Sequence, residues 1–236
     1  LLGLTAFFSL LIAGLIVYYA VKFRRRAPDS VGARIEGGLV LEITWTVIPF
    51  LILVFMAWPA TKTILAMKDT SAADVTIKVT GYQWKWGYDY LQEGISFYSS
   101  LSTPREQIEG TAPKGEHYLL EVDNPLVVPQ GRKIRVLITA NDVIHAWWVP
   151  DFGMKKDAIP GYINEWWFNA DVPGVYRGQC AELCGRDHGF MPVVVEVKSK
   201  EDYAKWVAGQ KQKVQAAADD PGKVWDGKEL AARGER

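Results

Sequence analysis

Hydrophobic residues are distributed along this chain in two long runs followed by shorter alternating segments. No charged residue occurs in residues 1–21 or in residues 43–61. At ~1.5 Å per residue, a helix of either length crosses the ~30 Å hydrocarbon core of a bilayer. Pro49 lies in the second run and is tolerable inside a membrane helix. The pattern therefore predicts a transmembrane helical hairpin within residues 1–70.

A cleaved signal peptide is the alternative interpretation of the first run. Its apolar region is usually only ~7–15 residues long and precedes a small-residue cleavage site, whereas Lys22, Arg24, Arg25 and Arg26 follow here. Positively charged loops remain in the cytoplasm. The connecting loop, residues 22–42, is therefore predicted to be cytoplasmic, and the chain that follows the second run is predicted to be extracytoplasmic. Because the chain begins with Leu, we expect a segment upstream of it.

Beyond the hairpin the pattern changes to period-two alternation, which is typical of strands. Five segments alternate in this way and are separated by Pro and Gly: 74–80, 117–123, 132–139, 165–170 and 193–198. This pattern predicts an all-β sandwich or barrel domain over residues 71–200. Residues 201–236 are predicted to form a short helical tail or linker.

The charge distribution along the chain says little about the class of partner. The whole chain has 27 basic and 27 acidic side chains, and residues 74–200 carry thirteen basic and sixteen acidic ones. The modestly acidic middle argues against a nucleic-acid partner and favours a basic one, although an ordinary solvated surface has the same composition.

The sulfur chemistry is concentrated in QCAELCGRDHGFMP, residues 179–192. Both cysteines of the chain, Cys180 and Cys184, precede His188 and Met191 in the pattern C-x3-C-x3-H-x2-M. Thiolate, thioether and imidazole together favour copper, whereas zinc sites typically use C-x2-C pairs and no methionine. A disulfide between the two cysteines is the alternative, but it leaves His188 and Met191 unexplained.

A mononuclear blue-copper site uses a single cysteine, so two thiolates favour a dinuclear copper site. Each copper ion then needs one imidazole, and the loop supplies only His188. The second comes from His117 or His145. His145 lies among bulky apolar residues in VIHAWWVP, whereas His117 lies beside charged residues in KGEHYLL, and we therefore choose His145.

Five motifs together resemble subunit II of the haem-copper cytochrome c oxidases: GYQWKWGYDY, LLEVDN, DVIHAWWVP, KKDAIPG and GQCAELCGRDHGFMP. They occur in the order of that family and close to its spacing. The resemblance covers residues 1–205. It implies an N-terminal hairpin, a cupredoxin-type β domain and a dinuclear copper centre called CuA.

The resemblance also implies residue roles at that centre. Cys180 and Cys184 would bridge the two copper ions, His145 and His188 would each bind one, and Met191 would be an axial ligand. The backbone carbonyl of Glu182 would be the other axial ligand. The Glu182 side chain would bind Mg or Mn at the boundary with subunit I.

Electron and proton routes follow from the same resemblance. Trp84 would receive the electron from cytochrome c, with Gln83, Asp89, Asp123 and Asp142 as docking residues. Glu42, just before the second span, would lie at the mouth of a proton pathway, although an interfacial acid that caps the span has the same position. The usual His and Tyr of the aromatic run are replaced here by Tyr82 and Lys85.

The implied function is electron transfer from cytochrome c through CuA to haem a of subunit I, which reduces O2 to water and pumps protons. The implied partners are subunit I, subunit III, cytochrome c or a fused haem c domain, and the lipid bilayer of a bacterial inner membrane. The tail DGKELAARGER resembles the opening of a cytochrome c domain, but no C-x-x-C-H occurs, so no haem is expected in this chain.

Two other functions are less consistent with the sequence. Quinol oxidase subunits share the hairpin and the β domain but lack the copper ligands, which are all present here. Membrane-anchored copper chaperones with C-x3-C resemble thioredoxins, and they would require alternating strands and helices.

Overall fold

A computed structural model of the protein describes residues 2–27, 29 and 37–219. The chain divides into two compact units, residues 1–60 and 61–236. Helices α1 (Leu2–Lys22) and α2 (Leu39–Lys68) are both long and apolar enough to cross a membrane. The second helix extends beyond both ends of the predicted span 43–61. Residues 28 and 30–36 of the predicted cytoplasmic loop, and residues 220–236 of the tail, lie outside the described residues.

The residues after α2 form a sandwich of two five-stranded sheets. The first sheet has the order β3-β2-β1-β5-β8 and the second has the order β4-β10-β9-β6-β7. Pairing is antiparallel throughout except between β1 and β5 and between β4 and β10. The strands are β1 (Val75–Tyr82), β2 (Lys85–Tyr90), β3 (Ile95–Ser99), β4 (Leu126–Pro129), β5 (Ile134–Ala140), β6 (His145–Val149), β7 (Met154–Ala158), β8 (Asn164–Phe168), β9 (Gly174–Cys180) and β10 (Pro192–Lys198).

Alternating side chains of the strands fill the space between the sheets. Val75, Ile77 and Val79 of β1 are buried, whereas the intervening residues are partly exposed. The same period-two burial occurs along β5. Because alternate side chains of a strand point to opposite faces, one face of each sheet is buried against the other sheet. The predicted β sandwich is confirmed.

One predicted strand is wrong. Residues 117–119 lie in a turn, and of the rest of the segment only Val122 makes an isolated bridge, with Leu101. The backbone N–H of Leu120 donates to the carbonyl of His117, and that of Leu119 donates to Thr103 Oγ1. Leu119 also has a positive φ of 61°. Local turn hydrogen bonds therefore replace the ladder that the hydrophobic alternation predicted.

Two helices complete the unit. The short α3 (Arg105–Ile108) lies in the connection between β3 and β4, and α4 (Lys200–Asp219) follows β10. Ser199 caps α4, because its hydroxyl accepts the N–H of Asp202. The centroid of the Trp206 ring lies 5.2 Å from that of the Tyr90 ring, so α4 packs against the sandwich. The predicted helical tail is confirmed as far as Asp219.

Tyr90 links the two sheets at the centre of the core. Its buried hydroxyl donates to the Val127 carbonyl at 2.7 Å and accepts the Val127 N–H at 2.9 Å. Tyr90 belongs to β2 of the first sheet and Val127 to β4 of the second. The edge strand β4 is therefore held by a side chain from the opposite sheet as well as by β10.

Replacing Tyr90 with Phe is expected to lower the free energy of unfolding by about 1–3 kcal/mol, because a buried N–H and a buried carbonyl lose a partner. Urea unfolding of a soluble fragment, residues 69–219, measures this loss. Tyr162→Phe is the matched control, since Tyr162 is 59% exposed. An equal effect of the two substitutions would contradict the assigned role of the Tyr90 hydroxyl.

Candidate metal centre

The ends of three neighbouring strands bring the predicted ligands together. His145 is the first residue of β6, Cys180 is the last residue of β9, and Met191 directly precedes β10. In the ladder between β6 and β9, Trp147 is paired with Cys180. Gly178 permits this pairing, because a Cβ there would overlap the backbone carbonyl of Trp148.

Backbone hydrogen bonds close the loop that carries the sulfur ligands. The N–H of Cys180 donates to the Met191 carbonyl at 3.2 Å, so the two ends of the loop are joined. The N–H of Ala181 donates to the Ala146 carbonyl at 2.9 Å, which ties the loop to β6. The indole N–H of the buried Trp86 also donates to the Met191 carbonyl, at 3.3 Å. The loop is thus fixed at both ends.

Five side chains converge within this loop. The Sγ atoms of Cys180 and Cys184 are 3.9 Å apart, almost twice the ~2.05 Å of a disulfide bond. His145 Nδ1 lies 4.0 Å from Cys180 Sγ, and His188 Nδ1 lies 3.5 Å from Cys184 Sγ. Met191 Sδ lies 3.5 Å from Cys184 Sγ. Each thiol therefore has an imidazole beside it.

A backbone oxygen completes the set of donors. The Glu182 carbonyl lies 3.3 Å from Cys180 Sγ. Three sulfur atoms, of Cys180, Cys184 and Met191, and this carbonyl oxygen therefore lie together with the two imidazoles. Thiolate and thioether sulfur with imidazole nitrogen suits copper, so the residues present fit a copper centre.

The ligand set is almost entirely removed from solvent. His145 is fully buried, and Cys180, Cys184 and Met191 are at most 4% exposed. The ligand atoms of His145, Cys180 and Cys184 all lie within 4.8 Å of one another. His188 is only partly buried.

The two thiols differ in acidity. Burial raises the pKa of the Cys180 thiol. The neighbouring His145 and the backbone hydrogen bonds lower that pKa by more than burial raises it, so the pKa is about 7. Burial and the neighbouring Cys180 raise the pKa of Cys184 to about 12. Metal ions bind thiolates, so ion binding releases the proton of the second thiol as well.

Asp142 orients His145, which the sequence analysis did not predict. Asp142 Oδ1 lies 2.8 Å from His145 Nε2, so the opposite nitrogen, Nδ1, faces Cys180. A carboxylate that accepts the distal N–H of a ligand histidine fixes both its tautomer and its ring orientation. The only sequence signal was an acid three residues before the histidine, and the bend at residues 141–143 that brings them together has no sequence pattern.

The turn between β1 and β2 is hydrogen-bonded to the other side of the loop that carries the sulfur ligands. The side-chain amide of Gln83 and the indole N–H of Trp84 both donate to the Cys184 carbonyl, at 2.8 Å and 3.3 Å. Asp142 Oδ2 accepts the backbone N–H of Gln83 at 2.7 Å. The structure therefore brings Gln83, Trp84 and Asp142 together with the predicted ligands.

The remaining predicted site residues lie elsewhere. Asp89 lies on β2, with its carboxylate 3.5 Å from Lys78 Nζ, and Asp123 accepts the backbone N–H of Ser100 at 2.8 Å. Glu42 lies in the first turn of α2. Among residues 2–27, 29 and 37–219, the only group of three or more His, Cys, Asp or Glu placed to hold an ion is His145, Cys180 and Cys184.

Two family models match this chain. The model described as cytochrome C oxidase subunit II, periplasmic domain, matches residues 75–198, and the one described as cytochrome C oxidase subunit II, transmembrane domain, matches residues 1–63. The chain belongs to the cytochrome c oxidase subunit II family. The resemblance inferred from the five motifs is thereby confirmed, and the protein is a subunit II of an oxidoreductase complex.

Curated relatives from several bacteria belong to the same family. The chain is 43% identical over 220 residues to a probable cytochrome c oxidase subunit 2 of Rickettsia bellii, a match that covers 93% of this chain and 80% of the relative. It is 39% identical over 206 residues to the cytochrome c oxidase subunit 2 of Cereibacter sphaeroides, covering 82% and 68%. It spans 65% of the Rickettsia conorii relative, at 41% identity and with 89% of this chain covered.

Solved structures give the same fold. The periplasmic domain of subunit II of cytochrome oxidase of Bradyrhizobium japonicum superimposes with a TM-score of 0.55 at 45% identity, covering 61% of this chain and 98% of that one. A mixed disulfide intermediate between a thioredoxin-like protein and a subunit II of cytochrome c oxidase gives a TM-score of 0.51 at 44% identity, covering 62% and 96%. The subunit II fold is therefore established for the sandwich.

Gly81→Ala is expected to weaken copper binding by a factor on the order of ten, because the position of a ligand histidine governs metal affinity. A Cβ at residue 81 would lie 2.8 Å from His145 Cδ2 and 2.9 Å from Cγ, so the ring must move. Competition titration of the soluble fragment with a copper chelator measures the affinity. Gly115→Ala is the control, since its Cβ meets nothing closer than 3.6 Å. Unchanged affinity in the Gly81 variant would contradict this account.

Proposed function

We propose that this protein is the electron-accepting subunit of a cytochrome c oxidase and that it holds a dinuclear CuA centre. Cys180 and Cys184 would bridge the two copper ions, and His145 and His188 would bind one ion each. Met191 and the Glu182 carbonyl would be the axial ligands. The observation that supports this most strongly is the buried pair of thiols 3.9 Å apart, each with an imidazole beside it.

When bound, the copper pair would supply a one-electron relay from cytochrome c to haem a of subunit I, where O2 is reduced to water with proton pumping. The protein's own contribution is rigidity. The hydrogen bond from Cys180 to the Met191 carbonyl and those from Gln83 and Trp84 to the Cys184 carbonyl hold the ligands in one arrangement. Ligands that move little between redox states keep the reorganisation energy low.

Trp84 is the proposed position at which the electron arrives. Its ring is partly exposed at the surface, and its indole N–H reaches the carbonyl of Cys184, one of the two bridging residues. The path from the ring to the thiolate therefore consists of one hydrogen bond and a few covalent bonds. This short connection supports the role that family resemblance gives to Trp84.

The other proposed roles concern the complex as a whole. Glu42, in the first turn of α2, is proposed to lie at the mouth of a proton pathway, and the Glu182 side chain to bind Mg or Mn at the boundary with subunit I. Subunits I and III are the proposed neighbours. The two transmembrane-capable helices and the periplasmic domain family support a location in a bacterial inner membrane with the sandwich on the periplasmic side.

Trp84→Phe is expected to slow electron transfer from reduced cytochrome c into the intact oxidase by about tenfold, a change of ~1.4 kcal/mol in barrier. Stopped-flow absorbance of the cytochrome measures this rate, and copper content should not change. Trp167→Phe is the matched control: Trp167 is also partly exposed, and its indole N–H also donates to a backbone carbonyl, that of Ala66. Equal rates for both variants would count against the proposed role of Trp84.

Met191→Leu tests the assignment of the axial ligand. The variant should retain both copper ions, because the thiolates and imidazoles remain, but its reduction potential should shift and electron transfer to haem a should slow by a factor on the order of ten. Redox titration and single-turnover kinetics measure the two effects. Met154→Leu on β7 provides the control. Wild-type potential and turnover in the Met191 variant would rule out an axial role.

A further inference from the structure

Only one ligand side chain of the metal centre reaches solvent. His145 is fully buried, and Cys180, Cys184 and Met191 are at most 4% exposed. His188 is the exception, because it is partly exposed. An ion that arrives from solution therefore meets the His188 ring before it can meet any of the other four side chains.

Three residues enclose His145 on the inner side of the centre. Asp142 Oδ1 lies 2.8 Å from His145 Nε2 and so occupies the nitrogen that faces away from the sulfur atoms. The centroid of the buried Trp86 ring lies 5.9 Å from that of the His145 ring. Gly81 lies so close that a Cβ there would be 2.8 Å from His145 Cδ2. The His145 ring is therefore fixed in place and shielded from solvent.

His188 is held through one ring nitrogen only. Its Nδ1 lies 3.5 Å from Cys184 Sγ, whereas Nε2 has no hydrogen-bond partner within residues 2–27, 29 and 37–219. The next residue, Gly189, is exposed, and a Cβ there would meet nothing within 4 Å. The His188 ring can therefore turn toward solvent with the loss of one polar contact, which the enclosed His145 cannot do.

The backbone that carries His188 is hydrogen-bonded only to itself. In the described part of the chain, the N–H groups of His188 and Phe190 donate to carbonyls within residues 185–190, and no backbone–backbone hydrogen bond joins this segment to another element. By contrast, the flanking carbonyls of Cys184 and Met191 accept hydrogen bonds from other parts of the sandwich. Segments with few such bonds to their surroundings open most readily.

Successive donor atoms link the exposed histidine to the buried one. His188 Nδ1 is 3.5 Å from Cys184 Sγ, and that sulfur is 3.9 Å from Cys180 Sγ. Cys180 Sγ is in turn 4.0 Å from His145 Nδ1. An ion held by His188 is thus one short step from the first thiol, and His145 lies at the far end of the series.

We infer that His188 is the ligand that first contacts incoming copper, and that residues 185–190 form the movable side of the centre, which opens to admit each ion. The first ion passes along the two thiols to His145, and the second stays with His188. Each thiol releases its proton to solvent as its bond to copper forms. The inference rests on the proposed function, because it assumes that this cluster binds copper.

Chemical modification tests the entrance without any substitution. The copper-free full chain in detergent is treated with diethyl pyrocarbonate, which acylates accessible imidazoles, and peptide mass spectrometry locates the product. His188 should react about tenfold faster than His145, because a buried ring reacts only after local opening. Copper loaded beforehand should protect His188. His117 is the internal control, since it is also partly exposed but lies outside the centre, and it should react equally with and without copper.

The kinetics of copper uptake test the order of contact. The copper-free full chain is mixed rapidly with Cu(I) in the absence of oxygen, and the ultraviolet absorbance of the copper–thiolate bonds reports uptake without any change of oxidation state. His188→Ala should lower the second-order rate of uptake by about tenfold, because the first contact is lost. His145→Ala should act mainly on release, measured by transfer of the ion to a chelator, because His145 engages last.

Two controls accompany these variants. His117→Ala should leave both uptake and release unchanged. The wild-type chain acylated at His188 should show the same slow uptake as His188→Ala, and hydroxylamine, which removes the acyl group, should restore the rate. This second control does not depend on whether a variant folds.

Several results would overturn the inference. One is equal reactivity of His188 and His145 toward the reagent. Another is uptake by His188→Ala that is unchanged or faster than that of the wild type, and a third is equal slowing in His188→Ala and His145→Ala. In each of these cases the wild-type chain still binds copper, so the proposed function stands. A wild-type chain that takes up no copper would overturn the proposed function together with the inference.

Discussion

The short connection between the two thiols is the constraint on which the rest of the site depends. Cys180 and Cys184 lie in one loop whose ends are joined by the hydrogen bond from the Cys180 N–H to the Met191 carbonyl. That bond closes the loop, within which both cysteines are buried. The imidazoles, the thioether and the Glu182 carbonyl then have one common point toward which to converge.

The sandwich makes this convergence possible because it fixes positions that are distant in the sequence. His145 arrives on β6 and Cys180 on β9, and the pairing of these strands sets their separation. Asp142 then fixes the orientation of His145, and the turn that contains Gln83 and Trp84 is hydrogen-bonded to the loop at the Cys184 carbonyl. Arg186 belongs to the same loop but is exposed, so a solvent-facing cation and the buried Cys180 and Cys184 lie in one short segment.

Much of this arrangement was predictable from the sequence. The two uncharged runs were long enough to identify both apolar helices, and the period-two alternation identified β1, β5, β8 and β10. The spacing C-x3-C-x3-H-x2-M predicted four metal ligands, because thiolate, thioether and imidazole together favour copper, and the structure brings these four side chains together. The choice of His145 over His117 followed from its apolar surroundings, and the structure places His145 beside Cys180.

Other features depended on contacts that have no linear signature. The alternation at residues 117–123 predicted a strand, but turn hydrogen bonds and a left-handed Leu119 decide the conformation there. Three contacts join residues up to 102 positions apart, and only the folded chain reveals them. They are the pairing of Asp142 with His145, the hydrogen bond from Trp84 to the Cys184 carbonyl and the position of Arg186 over the Trp84 ring.

The central claim is that the two thiols hold a pair of copper ions. Metal analysis combined with electron paramagnetic resonance of the soluble portion, reduced and then loaded with copper, tests it most directly: the account predicts two copper ions per chain with one unpaired electron shared by both nuclei, whereas a single zinc ion or a disulfide between Cys180 and Cys184 in the loaded protein would contradict it.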